Sequence, residues 1–336
     1  AVLGVIFARI CLELMDTPDD VIDLSTLYMR IYFLGMPFFM LYNYGAAILR
    51  AVGDTKRPLM YLIIAGSTNA VLDLVLVIIF KMGVAGVAIG TVTSQLISCI
   101  LVIRCLMTTE SDYKLRIRDL RIRKYYLLQI LSVGLPAGIQ STVINFSNVL
   151  LQSSVNSFGE IAMAGYTAAN NILGFLYVSV NSITQACMSF TSQNYGAGDF
   201  QRCKKVYRLC MIFSVIFCGL LSGVFVLGRD FFIRLYTTDP NVLTFAVQRL
   251  LIVTTLELLT STYEISGGAM RGFGHSLTPA LITVVGSCVL RLIWINTVCR
   301  AIHEFWVVMI IYPISWVLTG TAMITAYLLL RRKLMR

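Results

Sequence analysis

The chain has 336 residues and a formal net charge of +10, with 57% hydrophobic and only 13% charged residues, and its mean hydropathy is +0.80. Soluble domains carry about 25% charged residues, so this composition excludes an ordinary soluble domain. It leaves an all-α, polytopic membrane protein, since unpaired backbone cannot face lipid.

About 20 apolar residues cross a hydrocarbon core of roughly 30 Å. In chain order the spans are predicted at 1–15 (cut short), 24–50, 58–80, 83–106, 126–156, 160–190, 205–228, 241–268, 276–300 and 304–330. Between the second and third lies ILRAVGDTKRP at 48–58, and the same shape returns as AMRGFGHSLTP at 269–279. Arg50 pairs with Arg271, Gly53 with Gly274 and Pro58 with Pro279, always 221 positions apart. Val5 and Val226, Leu14 and Leu235, Val21 and Val242, and Ser94 and Ser315 keep that offset. This is an internal repeat. Each copy reads as a helix joint, with a cation near the helix C-terminus, a glycine suited to the left-handed C-cap and a proline for the next first turn.

The repeat predicts two lobes: an N-lobe at 1–106, a cytoplasmic linker at 107–125 and a C-lobe at 126–336. Ala1 stands inside an apolar run, and the same offset would start the first unit about 95 residues earlier. Two further spans are therefore expected upstream, twelve in all, as six plus six. Units with even numbers of spans run in the same direction, as in parallel-repeat transporters whose substrate site lies near the midplane. Pro37, Pro136 and Pro313 fall inside spans and permit kinks, and Gly83, Gly86 and Gly90 suggest close packing in the fourth span.

The positive charge alternates by loop. Arg50, Lys56 and Arg57, the stretch from Arg104 to Lys124, the set Arg202, Lys204, Lys205 and Arg208, then Arg271, and the tail from Arg331 to Arg336 together hold 19 of the 27 basic residues. The intervening loops carry Asp16, Asp19, Asp20, Asp23, Glu160, Asp239 and Glu304. The positive-inside rule puts the basic loops and the C-terminus in the cytoplasm and removes nucleic acid as the reason for the charge. The linker stretch KLRIRDLRIRK reads as a solvated loop or as an arm attracted to anionic lipid headgroups. The nine cysteines are scattered without metal-ligand spacing, and no catalytic motif occurs.

Ionisable groups within spans are costly, about 2.5 to 3.5 kcal/mol for an Asp at a helix centre. Asp73, Glu257, Glu264 and Arg291 stand out. Asp73 lies roughly 22 Å from the cytoplasmic helix end at about 1.5 Å per residue. Asn69 shares its face and Thr91 lies on the next span, an oxygen set suited to Na+ or a proton. The alternative is an Asp tied to neighbouring polar groups to fix packing. Glu257 and Arg291 fall at similar depth on adjacent spans and are expected to form a buried ion pair, with a second ion site as the other reading. Glu264, near a cytoplasmic end, is expected to reach water. Ser141, Asn145, Asn148 and Gln152 form a polar stripe on the fifth span, with Gln140 beside it; such a stripe either glues helices together or lines a wet cavity, and its length and symmetric position favour the cavity wall.

The chain resembles the multidrug and toxic compound extrusion (MATE) family over its whole length, starting at that family's third helix. The resemblance is carried by LRAVGDTKRP at 49–58, NAVLD at 69–73, GLPAGIQ at 134–140, VNSFG at 155–159, QNYGAGDFQR at 193–202 and MRGFGHSLTP at 270–279. It implies antiport of organic, often cationic and amphipathic compounds against Na+ or H+, without a cofactor or enzymatic step. By motif and spacing Asn69, Asp73 and Thr91 match the N-lobe cation site of one branch of the family. Another branch uses a Glu and an Asp in its C-lobe. This chain has no acid on its fifth span and Thr260 where that Asp would fall, so a site of that kind would need Glu257 or Glu264 as substitutes. The expected partners are a small drug or metabolite and membrane lipid, with the chain acting as a monomer in the plasma membrane. A flippase for lipid-linked oligosaccharide or peptidoglycan precursors is the nearest alternative, and it would be expected to carry several cavity cations where Arg291 is the only clear mid-span one. A membrane receptor or assembly protein is the alternative from another class.

Overall fold

The computed structural model describes residues 1–14 and 19–334, and no strand occurs among them. Asp16 and Arg336 of the charge pattern lie outside the described residues. The first helices are α1 (Val2–Leu14), α2 (Asp19–Ala51), α3 (Lys56–Leu74), which runs on into a π-helical turn at Val75–Ile79, and α4 (Gly83–Thr108). They are followed by α5 (Lys124–Asn156), α6 (Glu160–Gly196), α7 (Phe200–Leu227) and the short α8 (Arg229–Arg234). Next come α9 (Pro240–Thr254), a 3-10 turn at Glu257–Leu259, and α10 (Thr260–Gly272). After them stand α11 (Leu277–Thr283), a second π-helical turn at Val284–Val289, α12 (Leu290–Asn296), α13 (Val298–Ala301) and α14 (Phe305–Leu334).

Among the described residues nine helical runs are long and apolar enough to cross a membrane. With the 13-residue α1 they account for all ten predicted spans. Leu59, Leu62, Ile63, Leu128 and Leu220 are large apolar side chains left exposed along these helices. In water a surface of that kind would aggregate, whereas in a bilayer it is the natural outer face. This is a multi-pass membrane protein.

The two joints of the repeat are the same structure. Gly53 takes φ +89° and Gly274 φ +84°. The Gly53 N–H donates to Arg50 O at 3.0 Å and the Asp54 N–H to Leu49 O at 2.9 Å; the Gly274 N–H donates to Arg271 O at 2.9 Å and the His275 N–H to Met270 O at 3.0 Å. That pair of bonds is the Schellman motif, which satisfies two orphan carbonyls and requires a left-handed residue. Pro58 and Pro279 then each stand third in the helix that follows, where the missing N–H costs nothing.

The helices divide into two compact units, Ala1–Arg121 and Ile122–Arg336. In the first, α2 packs on α4 around Tyr42, Ala46, Leu49, Cys99, Val102 and Leu106. In the second, α14 is the central helix, with 61% of its apolar window buried against 6% for that of α5. Asp199 and Asp239 cap α7 and α9, accepting from the backbone N–H of Arg202 and of Asn241, each at 2.9 Å. The 221-residue offset carries α2 onto the run Pro240–Gly272. There α2 continues through Pro37, while its counterpart breaks into α9 and α10 around Glu257.

Candidate functional site

In the first unit, α3 and α4 pack side by side and bring Asn69, Asp73 and Gly90 together. Asn69 and Asp73 stand one helical turn apart, so both point the same way, and Asn69 Nδ2 donates to Asp73 Oδ1 at 3.2 Å. Asp73 Oδ1 occupies the place that a Cβ on Gly90 would fill. The carboxylate therefore lies against bare α4 backbone at Gly90, and Thr91, the next residue in sequence, is half-buried. No cation faces Asp73 within ion-pair distance among the described residues, whose ion pairs are Arg9 with Glu13 and Asp23, Arg57 with Asp54, and Arg229 with Asp230. A half-buried carboxylate with an amide beside it and no fixed counter-charge is chemically suited to an exchangeable cation or proton. The π turn at Val75–Ile79 begins two residues further on, and such turns in α-helices often mark functional positions.

In the second unit a cavity of about 660 Å³ opens beside α5 and α6. Asn145, Asn148 and Gln152 line it from α5, spaced to share one face. Gln140 and Ser141 do not line it. Gln140 is buried and accepts from Arg271 Nη2 at 3.0 Å, and the Ser141 hydroxyl turns back to Ala137 O at 3.1 Å. Both precede Ile144, the first α5 residue of the lining, and Gln140 is packed inside while Ser141 is exposed, so only part of the stripe lines the cavity.

Glu257 reaches the cavity wall from the 3-10 turn, but it makes no ion pair with Arg291 among the described residues, contrary to the expectation from depth. Glu257 feels Arg249 and Arg291 electrostatically, but the break between α9 and α10 places its carboxylate beyond direct pairing distance of either. Arg291 instead places its guanidinium 4.7 Å from the centre of the Tyr312 ring. Its Nη1 donates to Asn148 Oδ1 at 3.4 Å and its Nη2 to Ser315 Oγ at 3.5 Å. Glu264 is half-buried on α10, away from the cavity lining.

The residue that sequence reading passed over is Arg249 on α9, which is 2% exposed. Its guanidinium stacks 3.7 Å from the centre of the Tyr166 ring and 5.1 Å from that of Tyr312. Nη2 donates to Asn170 Oδ1 at 3.0 Å and Nη1 to Met309 Sδ at 3.1 Å. Arg291 is thus not the only mid-span cation. A signal was present: an arginine well inside an apolar span, with Phe245 and Val253 a turn away on either side and no acid within a turn of it. Burying such a cation in a bilayer costs about 2.5 to 3.5 kcal/mol on insertion scales, and each cation–π contact returns about 0.5 to 2 kcal/mol. The rings and the amide offset most of that cost and leave the charge in place.

Comparison with known proteins agrees with this architecture. The family model described as MatE matches residues 1–75 and 136–297. The probable multidrug resistance protein YoeA of Bacillus subtilis is 32% identical over 292 residues, covering 84% of this chain and 63% of that protein. The multidrug export protein MepA of Staphylococcus aureus is 22% identical over 271 residues, covering 81% and 60%. The chain thus spans somewhat under two thirds of the length of these relatives. Among solved structures, a MATE in the bent conformation superposes with a TM-score of 0.91 at 19% identity, covering 99% of this chain and 74% of that one. A MOP superfamily transporter from Pyrococcus furiosus gives 0.92 at 19% identity, covering 100% and 76%. At such identities these structures speak for the fold, while the family match extends over most of the sequence: the chain belongs to the MatE family.

Proposed function

We propose that the protein is a secondary transporter that exports organic amphipathic compounds, cations among them, by antiport against Na+ or H+. It would lie in the plasma membrane with its Lys- and Arg-rich loops and its C-terminus on the cytoplasmic side. The observation that carries this reading is the Asp73 carboxylate seated against Gly90, with the Asn69 amide 3.2 Å away and no fixed counter-charge among the described residues. The names of the curated relatives, a multidrug resistance protein and a multidrug export protein, point in the same direction. Asp73 would hold the coupling cation or proton, with Asn69 supplying its carbonyl oxygen and Thr91 its hydroxyl. A coupling ion drives transport only if it binds the inward-open and outward-open states unequally. A carboxylate alternately neutralised and charged inside a bilayer meets that condition, because the charged form is costly wherever water cannot reach it. The test is dye efflux from proteoliposomes under an imposed Na+ or pH gradient. Asp73→Asn is expected to lower gradient-driven efflux at least tenfold, to the passive leak. Efflux as fast as that of the unaltered protein would contradict the coupling role.

A second reading gains from Arg249. A flippase for lipid-linked oligosaccharide or peptidoglycan precursors needs cavity cations to meet phosphate, and the second unit holds two buried arginines where sequence reading found one. The cavity, at about 660 Å³, has the size of a site for a drug-like molecule rather than a lipid-linked oligosaccharide, so export of smaller compounds remains the conclusion.

A further inference from the structure

We infer that the cavity of the second unit binds an amphipathic oxyanion, an aromatic or otherwise apolar body with a carboxylate or phosphate head, and that Arg249 is the group that meets the head. This deepens the transporter reading, on which it rests only in treating the ligand as cargo.

The argument begins with charge. Arg249 lines the cavity and Arg291 lies directly behind Tyr312, which also lines it. Against these two cations the cavity sets one carboxylate, Glu257, and neither arginine pairs with it among the described residues. Among the described residues every direct contact of the two guanidiniums is neutral, an amide oxygen, a thioether or hydroxyl, and an aromatic face, and the Glu257 carboxylate acts on them only from beyond ion-pair distance. Arg249 Nε and Arg291 Nε are both buried with no hydrogen-bond partner among the described residues. Buried polar groups are ordinarily satisfied, and a guanidinium offers a planar fork matched to carboxylate and phosphate. A cavity wall carrying the buried Arg249, whose Nε is unanswered among the described residues, with a second cation against the Tyr312 ring, is suited to an anion.

The remaining walls describe the rest of the ligand. Tyr166, Tyr177, Tyr312 and Trp316 supply aromatic surface, and Asn145 and Gln152 supply amide groups that tolerate varied polar substituents. About 660 Å³ is the size of a site for a drug-like molecule. The shared chemistry is the oxyanion head, which a soluble organic acid or a phospholipid could bring.

The test is a binding measurement on the purified chain in uncharged detergent, so failure of transport and failure of this inference are distinguishable. Trp316, one of only three tryptophans, reports quenching by a matched set of nitroaromatic probes: 4-nitrobenzoate, 4-nitrobenzyl alcohol and 4-nitrobenzylammonium. The carboxylate is expected to bind at least tenfold more tightly than the other two, with quenching lost in Trp316→Phe. Arg249→Gln is expected to erase that preference, and Arg249→Lys to retain part of it. Should Arg249→Gln fail to fold, Asn145→Asp places an acid at an exposed position of the same wall and is expected to weaken 4-nitrobenzoate at least fivefold while leaving the alcohol unchanged. Dihexanoyl phosphatidic acid as competitor separates the sources: displacement at lower concentration than benzoate marks a phospholipid head, and the reverse an organic acid. Equal binding of all three probes, or an anion preference untouched by folded Arg249→Gln or by Asn145→Asp, would overturn the inference.

Discussion

Gly90 lacks a side chain where Asp73 needs the space. An added Cβ would land on Asp73 Oδ1, yet a carboxylate at the end of a short side chain can rotate away, so the cost falls on the site rather than on the fold. Gly90→Ala is therefore expected to raise the cation concentration for half-maximal efflux about tenfold, with thermal stability changed by less than about 1 kcal/mol. Efflux kinetics and a melting curve on the same variant check both halves. Asn69 and Asp73 were legible in the sequence because two polar residues four apart in an apolar span share a face. Gly90 was not, since a glycine in a membrane helix reads equally well as a packing contact. Arg249 was overlooked for a different reason: its partners, Asn170 and Met309, lie 79 and 60 positions away. No local pattern announces such contacts.

At the scale of elements, the helix joints were legible down to the hydrogen bond. A glycine followed within five residues by proline, twice, at one constant offset, specifies a left-handed cap and a new helix. The consequence is quantitative. Gly274→Ala forces an ordinary residue to φ +84° with open space around it, so the cost is conformational and about 1 to 2 kcal/mol. Gly274→Asn should lose less than the alanine variant, because asparagine tolerates that region. Guanidinium-induced unfolding of the two variants would show the order, and equal loss would mean the strain lies elsewhere. The π turns and the break at Glu257–Leu259 were illegible. A π turn shifts the backbone register by one residue without changing which residue types are apolar, so hydrophobic periodicity does not encode it. The missing ion pair between Glu257 and Arg291 follows from that break, because depth counted along an unbroken helix says nothing of direction beyond an interruption.

For the whole molecule, composition and span length gave the architecture, since a bilayer leaves helices as the only option for a chain this apolar without strand alternation. The offset of 221 residues further showed that α2, α3 and α4 have counterparts in the second unit. What the repeat concealed is chemical inequality. The first unit holds an unpaired carboxylate against bare backbone, and the second a cavity with two arginines and one glutamate. On the two proposals above, related scaffolds would offer one site for a cation and one for an anion.

The central claim, that Asp73 exchanges the coupling cation, is tested most directly by infrared difference spectroscopy on the reconstituted protein as Na+ or pH is switched. A carboxyl band that changes on the switch is expected for the unaltered protein and should be missing in Asp73→Asn, whichever ion is used. The same carboxyl difference band in both proteins would contradict the account.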